Sequence, residues 1–204
     1  MLLDAAILAF AERGECIWRA GDPSEYMGIV GDGFVKMVKC SSNGQESAME
    51  LLGPGQCFGM MAAIEGRAFP LSALAATNCW YVKIPTHFFL TVYHSNNRLK
   101  DQIVRSIGPR LRRAHEMISR FSSGKVDQRI AAVLFILADS FGVQKEGAVE
   151  IQVPLTRQDL GEMAGTTTET SIRILSRWQK EGLLKTDNRF MTILNERELG
   201  RLLT

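Results

Sequence analysis

The sequence predicts an α+β fold in three consecutive parts, and three patterns carry that prediction. Residues 14–85 hold short β-rich runs separated by glycine turns, residues from about 96 onward hold one long helical repeat, and residues 156–184 hold two short helical patterns joined at a glycine. The chain of 204 residues is long enough for two domains of about 100 residues each.

The β-rich runs are ECIWRAGD, VKMVKC, ESAMELL and CWYVKIP, bounded by glycine-bearing stretches at 21–23, 31–33, 41–44 and 53–55. Asn43 followed by Gly44 is a good two-residue hairpin turn. Many short strands with turns at such spacing indicate a sandwich or a barrel-like roll.

Residues 86–94 read as a short helix, and the long helix starts near residue 96. Val104, Ile107, Leu111, Ala114, Ile118 and Phe121 are spaced 3, 4, 3, 4, 3, which is a coiled-coil seam rather than a broad globular stripe. Two such helices pair in parallel across a twofold axis, so a homodimer is expected; a helix packed on its own domain is the alternative. Arg105, Arg110, Arg112, Arg113 and Arg120 lie off the seam and read as a solvated flank. Gly108 and Pro109 fall inside the repeat. Proline removes a backbone hydrogen bond and bends a helix, so a kink is expected there, either as a hinge or as a static bend. Ser122, Ser123 and Gly124 make a small break, which sets the expected parts at 1–95, 96–122 and 123–204.

In the last part, residues 126–141 follow a helical pattern with Ile130, Val133, Leu134 and Leu137 on one face, and 149–153 alternates like a strand. Thr156 can cap a helix, with Asp159 placed to reach back to it. Gly165 suits the left-handed end of that helix, and Thr167 can cap the next. Two helices joined so tightly must cross steeply, which makes a helix-turn-helix. On the second helix Ser171, Ile174, Leu175 and Trp178 share the inward face; Thr168, Glu169, Ile172, Arg173 and Ser176 face out. An arginine in the major groove can donate twice to guanine and a glutamate can accept from cytosine, so this face suits base edges. Glu169 and Arg173 are four apart, and the carboxylate can hold the guanidinium in its reading pose; an ordinary exposed ion pair is the plainer account. Residues 183–186 and 190–194 can pair across 187–189 as a wing that brings Arg189 towards phosphate, and Asn195 caps a final helix with Glu198.

Composition narrows the class. Hydrophobic content of 46% and charged content of 23% are those of a globular protein. No apolar run is long enough to span a membrane, and the apolar residues 2–10 are interrupted by Asp4 and lack a basic lead, so a signal peptide is not expected and a cytoplasmic location is. Cys16, Cys40, Cys57 and Cys79 form no CxxC pair and read as free thiols. Lys and Arg against Asp and Glu number 6 and 9 over 1–97, 7 and 2 over 98–120, and 11 and 11 over 121–204. A neutral reading domain is not the basic patch of a generic nucleic-acid binder, but Arg157, Arg177, Lys185 and Arg189 can supply the few cations a specific binder places on phosphates.

TRQDLGEMAG followed by TxETxxRIL resembles the DNA-binding segment of the cyclic AMP receptor protein and fumarate-nitrate reduction regulator family, and ERGECIWRAGDPSEYMGIVGDGFVKM resembles its opening strands. The resemblance covers nearly the whole chain. It implies a sensory β-roll (a double-stranded β-helix of jelly-roll type), a dimerisation helix and a carboxy-terminal winged helix-turn-helix. It also implies that Glu169 and Arg173 read bases, that Arg157, Gln158 and Thr170 contact phosphates, and that RNA polymerase is a partner. One departure matters: the family usually places valine or isoleucine at the position of Ser171 and glycine or serine at that of Ile172. Here the characters are exchanged, and Ile172 can touch a thymine methyl.

The family's effector cassette falls near residues 59–72, with Cys57, Gly59, Met60, Met61, Leu71 and Ser72 as the candidate pocket. Relatives that bind cyclic nucleotide carry a glutamate after the glycine and an arginine before the serine; here Met60 and Leu71 stand there. A buried phosphate without its arginine is an unpaired charge, so cyclic nucleotide is not expected. An iron-sulfur cluster is not expected either, because the grouped amino-terminal cysteines are absent. Haem has no positive support, since His87, His94 and His115 are isolated and there is no CxxCH; it stays open, with Cys57, Met60 and Met61 as soft ligands or, on the simpler reading, core fillers. A metal-dependent enzyme on a β-roll needs converging histidines, and none precedes His87. The expectation is therefore a homodimeric, sequence-specific regulator on a palindromic double-stranded operator, driven by a signal other than cyclic nucleotide. The alternatives are a scaffold of the same fold that acts on protein partners, and a cyclic-nucleotide regulator with an atypical pocket.

Overall fold

Inward apolar side chains on alternating strand positions close the first half of the chain around one aromatic core. The computed structural model describes residues 5–40 and 46–203, apart from the side chains of Glu46 and of residues 121–123. In chain order the elements are β1 (Ile7–Ala11), β2 (Cys16–Trp18), β3 (Tyr26–Asp32), β4 (Val35–Cys40), β5 (Glu46–Leu52), β6 (Cys57–Phe58), α1 (Met60–Glu65), β7 (Ser72–Ala75), β8 (Cys79–Pro85), α2 (Thr86–Ser95) and α3 (Asn97–Ser123). Two four-stranded antiparallel sheets result, ordered β1-β8-β3-β6 and β2-β7-β4-β5. The turn expected at Asn43 and Gly44 lies outside the described residues, between β4 and β5, which pair antiparallel.

Trp18 organises the interior. Its ring stacks on Phe69 at a centroid distance of 4.0 Å and on Phe58 at 4.9 Å, and meets the Tyr26 ring edge-on at 5.6 Å. Its indole N–H donates to the Leu71 carbonyl at 3.0 Å, which satisfies the polar atom of a buried aromatic. Ala11, Val30, Val35, Met37, Leu52, Ala62, Ala73, Ala75, Cys79 and Tyr81 complete the buried part of this cluster. A second cluster covers the other face of β3 and β8, where Met27 and Ile84 pack with Met60 and Ala63 of α1, Phe89 of α2 and Ile103 of α3. Gly33 shows why a glycine ends β3. Its φ is +79°, and a Cβ there would stand 2.2 Å from the Asn78 carbonyl oxygen.

Several elements of this half carry no clear signal in the sequence, β1, α1 and β7 among them. β1 precedes the β-rich window; its residues alternate, but Leu8 and Phe10 on the outward side are as apolar as Ala9 and Ala11 on the inward side, which hides the period. Its partner β8 lies far along the chain. α1 and β7 are too short to show a period of their own.

By contacts the chain divides into Met1–Ile107 and Gly108–Thr204, a boundary inside α3 at Gly108. α3 itself continues through Pro109 as one helix of 27 residues. After it come α4 (Val126–Phe141), β9 (Gly142–Lys145), β10 (Ala148–Ile151), α5 (Arg157–Ala164), α6 (Thr168–Lys180), β11 (Leu184–Asp187), β12 (Phe190–Ile193), α7 (Glu196–Gly200) and a closing 3-10 turn, Arg201–Leu203. The strands form one antiparallel sheet ordered β11-β12-β10-β9. Ile130, Leu134 and Leu137 of α4 are fully buried along with Ile151, Leu160, Leu175, Trp178, Leu184, Met191, Ile193 and Leu199. β9 is exposed along its length, so it has no alternation for sequence reading to find. Asn195 caps α7 by accepting from the Glu198 amide.

Candidate nucleic-acid interface

The two helices of the reader are set by their caps. Thr156 accepts from the Asp159 amide at 3.0 Å, and the Asp159 carboxylate accepts in return from the Thr156 amide at 2.9 Å, so two orphan donors of α5 are satisfied reciprocally. Gly165 ends α5 at φ +59° and ψ 47°. Thr167 then caps α6 by accepting from the Thr170 amide at 3.2 Å. The helices cross closely enough that a Cβ on Gly161 would come within 3.1 Å of Ser171 Oγ. The small Ser171 is fully buried at that crossing, and its hydroxyl donates to the Thr167 carbonyl.

Burial on α6 follows the predicted faces. Ser171, Ile174, Leu175 and Trp178 are buried, while Glu169, Ile172, Arg173 and Ser176 are exposed and Thr168 and Thr170 are half-buried. Ile172 stands between Glu169 and Arg173 with 47% of its surface exposed. Glu169 does not hold Arg173: among the described residues no ion pair joins them. Its own backbone N–H and the Thr167 side chain, both at the start of α6, instead hold the Glu169 pKa below the usual value. Free N–H groups at a helix start are nearer to it than a guanidinium one turn away.

The expected phosphate contacts divide. Gln158 is exposed and donates to Glu162 at 2.9 Å; Thr170 accepts from the Thr167 hydroxyl at 3.1 Å. Arg189 is exposed at the tip of the wing, where the two-residue turn of Asn188 and Arg189 has φ values of 45° and 73° between paired strands. Lys185 is exposed on β11. Two of the cations are spent elsewhere. Arg177 pairs with Asp127 of α4 and, at 3.8 Å, with Glu181. Arg157 turns inward to Gln179 and Thr186, residues that no motif marks and that only folding brings together.

The seam residues show one exposed row. Val104 is 69% exposed, Leu111 53% and Ile118 62%, one heptad apart, and Ala114 is exposed beside them. Ile107 is half-buried against the second cluster of the roll. The Phe121 side chain lies outside the described residues.

The six residues of the candidate effector pocket divide between the two clusters of the roll and its surface. Met60 is buried in the second cluster with Cys57 packed against it, Met61 is exposed, and Leu71 packs on the aromatic core. Ser72 is buried and its Oγ accepts from the Ala20 amide at 3.0 Å. Gly59 is left-handed at φ +76°, and a Cβ on it would come within 2.9 Å of both Phe69 and Trp18. Among the described residues no group of three or more His, Cys, Asp or Glu could hold a metal ion. No described helix is long and apolar enough to cross a membrane.

A β-roll joined by a long helix to a winged helix-turn-helix with an exposed polar reading row defines a DNA-binding regulator with a sensor-type domain. Comparison with known proteins agrees with that class. Residues 9–96 match the model of the cyclic nucleotide-binding domain and residues 128–202 that of the Crp-like helix-turn-helix domain, together most of the chain. The chain is 28% identical over 191 residues to Electron transport regulator A of Shewanella oneidensis, covering 94% of this chain and 76% of that one. The Fumarate and nitrate reduction regulatory protein of Vibrio cholerae is equally similar, at 28% identity with the same coverage. FixK2 from Bradyrhizobium japonicum has the same fold, with a TM-score of 0.85 at 22% identity over 97% of this chain and 96% of that one. The chain belongs to the CRP/FNR family and is a DNA-binding transcription regulator, not an enzyme.

Proposed function

We propose that the protein acts as a homodimer that reads a palindromic operator with α6 and answers to a signal other than cyclic nucleotide. The observation that carries the reading role is the row of Glu169, Ile172 and Arg173, exposed on a helix whose opposite face is fully packed. Arg173 donates to guanine, Glu169 accepts from cytosine and Ile172 meets a thymine methyl. Gln158, Thr168, Thr170 and Arg189 position the reader on the backbone. The exposed row of Val104, Leu111 and Ile118, with Ala114, supports parallel pairing of two α3 helices, with Ile107 and Phe121 completing the seam. Two half-sites then lie about one helical turn apart, near 34 Å. Gly108 and Pro109 lie inside α3 at the junction of sensor and reader, as a hinge or a static bend. RNA polymerase is the expected partner at the promoter, and the cytoplasm is the expected location.

Three features of the roll support a signal other than cyclic nucleotide. Leu71 offers no cation to a phosphate, Ser72 Oγ is engaged by Ala20, and the Trp18, Phe58 and Phe69 stack fills the interior. Cyclic AMP is therefore expected to leave the melting temperature and DNA affinity unchanged; a rise in both would restore it as effector. An absorption spectrum of freshly purified protein tests haem directly through its Soret band.

Gel-shift titration at two salt concentrations separates this function from a protein-directed scaffold. Binding is expected to weaken with salt on every duplex while the preference for the operator persists. Arg189 adds a test at the wing. Its left-handed backbone costs about 1 kcal/mol for a residue with a Cβ, so Arg189→Gly is expected to raise the stability of the DNA-binding unit slightly. The same variant should weaken binding on operator and random DNA alike and flatten the salt dependence by about 0.9 in slope per lost phosphate contact. Unfolding by denaturant and a salt series check the two halves.

A further inference from the structure

Arg157, at the first turn of α5, is half-buried rather than free in solvent. Its Nη2 donates to Thr186 Oγ1 at 3.2 Å and to Gln179 Oε1 at 3.4 Å, and its Nη1 lies 4.0 Å from Met191 Sδ. These partners belong to three elements: Gln179 to the last turn of α6, Thr186 to β11 and Met191 to β12. One side chain from the first helix of the reader thus ties the end of the second helix to both strands of the wing. The planar guanidinium suits this task, because the two N–H groups of Nη2 point in fixed directions, one to each acceptor; an ammonium has three donors, but they rotate on a flexible stem and fix neither direction. Neither acceptor is charged, so the contacts are hydrogen bonds rather than ion pairs, and burial draws the Arg157 pKa down.

We propose that Arg157 is a positioning residue for base reading: by clamping Gln179 to Thr186 it fixes the angle of α6 against the wing, and with it the entry of Glu169, Ile172 and Arg173 into the groove. This rests on the DNA-reading function proposed above and departs from the phosphate contact that family resemblance implies for this position. The far end of α6 is anchored independently by the Thr167 cap, and its flank by Arg177 on Asp127. The carboxy-terminal turn and the wing are what Arg157 adds.

The test compares Arg157→Ala, Arg157→Lys and the double variant Gln179→Ala with Thr186→Val, each titrated on operator and random duplex across a salt series. Clamping depends on the reach and fixed N–H directions of the guanidinium, which the rotating ammonium of lysine does not reproduce, so lysine should fail as alanine does. Both should lower the operator-to-random preference by about tenfold with an unchanged salt slope. The double variant keeps the cation and removes its acceptors, and the same selective loss is expected. A phosphate contact behaves otherwise: lysine stays close to wild type, alanine weakens both duplexes with a slope shallower by about 0.9 per contact, and the double variant is neutral. That pattern overturns the proposal, as does a fall in melting temperature with the preference of the active molecules intact. If the Arg157 variants do not fold, the double variant decides. A wild-type protein without operator preference would instead refute the DNA-reading function itself.

Discussion

Replacing Arg173 with alanine is expected to weaken operator preference sharply while leaving binding to random DNA nearly unchanged. The side chain is exposed and, among the described residues, forms no ion pair, so its removal disturbs no packing and strands no buried partner. A bidentate arginine-guanine contact discriminates by about 1–3 kcal/mol. Two half-sites double that, so the affinity for operator should fall by at least about 30-fold. Random DNA is held by phosphates and loses little. Equal losses on both duplexes would assign Arg173 to the backbone instead. Because Glu169 is engaged with the start of α6 and not with Arg173, Glu169→Gln should not mimic the arginine variant; its loss should be confined to positions where cytosine is read.

Leu111→Glu is expected to dissociate the dimer and, with it, operator binding. Leu111 stands midway between Val104 and Ile118 in the exposed row, with 53% of its surface exposed. Burying one leucine is worth roughly 1.5–3 kcal/mol, and a parallel pair buries two against each other. Their replacement by facing carboxylates adds repulsion. The dimer dissociation constant should therefore rise by roughly 10² to 10⁴, read by sedimentation equilibrium. Arg105→Glu, off the seam, serves as the control and should not change it. An unaltered dimer in Leu111→Glu would mean that α3 pairs through another face, or not at all.

The sequence was most readable where structure is local. Thr156 with Asp159, Gly165 and Thr167 each act on neighbours three or four residues away, and they set α5 and α6 as their spacing predicts. α4 occupies 126–141 because its apolar face has a helical period and its ends are clear. Partners brought together by folding were hidden. Nothing near Arg157 announces Thr186 or Gln179, and nothing near Arg177 announces Asp127, 50 positions away. Two of the four cations expected at phosphate thus have partners within the chain. The same limit concealed β1, whose outward side chains are as apolar as its inward ones. Trp18 is the converse case in the roll: its aromatic partners are separate in sequence, and only their stacking shows how the interior is filled. The exchange at Ser171 and Ile172 was visible from the start. The structure adds its reason, since Ser171 occupies the close crossing at Gly161 while Ile172 is left on the reading face.

Selection of bound duplexes from a randomised pool tests the reading function most directly. The predicted result is an enriched site with twofold symmetry, its half-site centres about 34 Å apart. Arg173→Ala should then lose the guanine preference and Ile172→Ser the thymine preference at one position in each half. A pool that remains unenriched, or an enriched site that lacks symmetry and is indifferent to both variants, would contradict it.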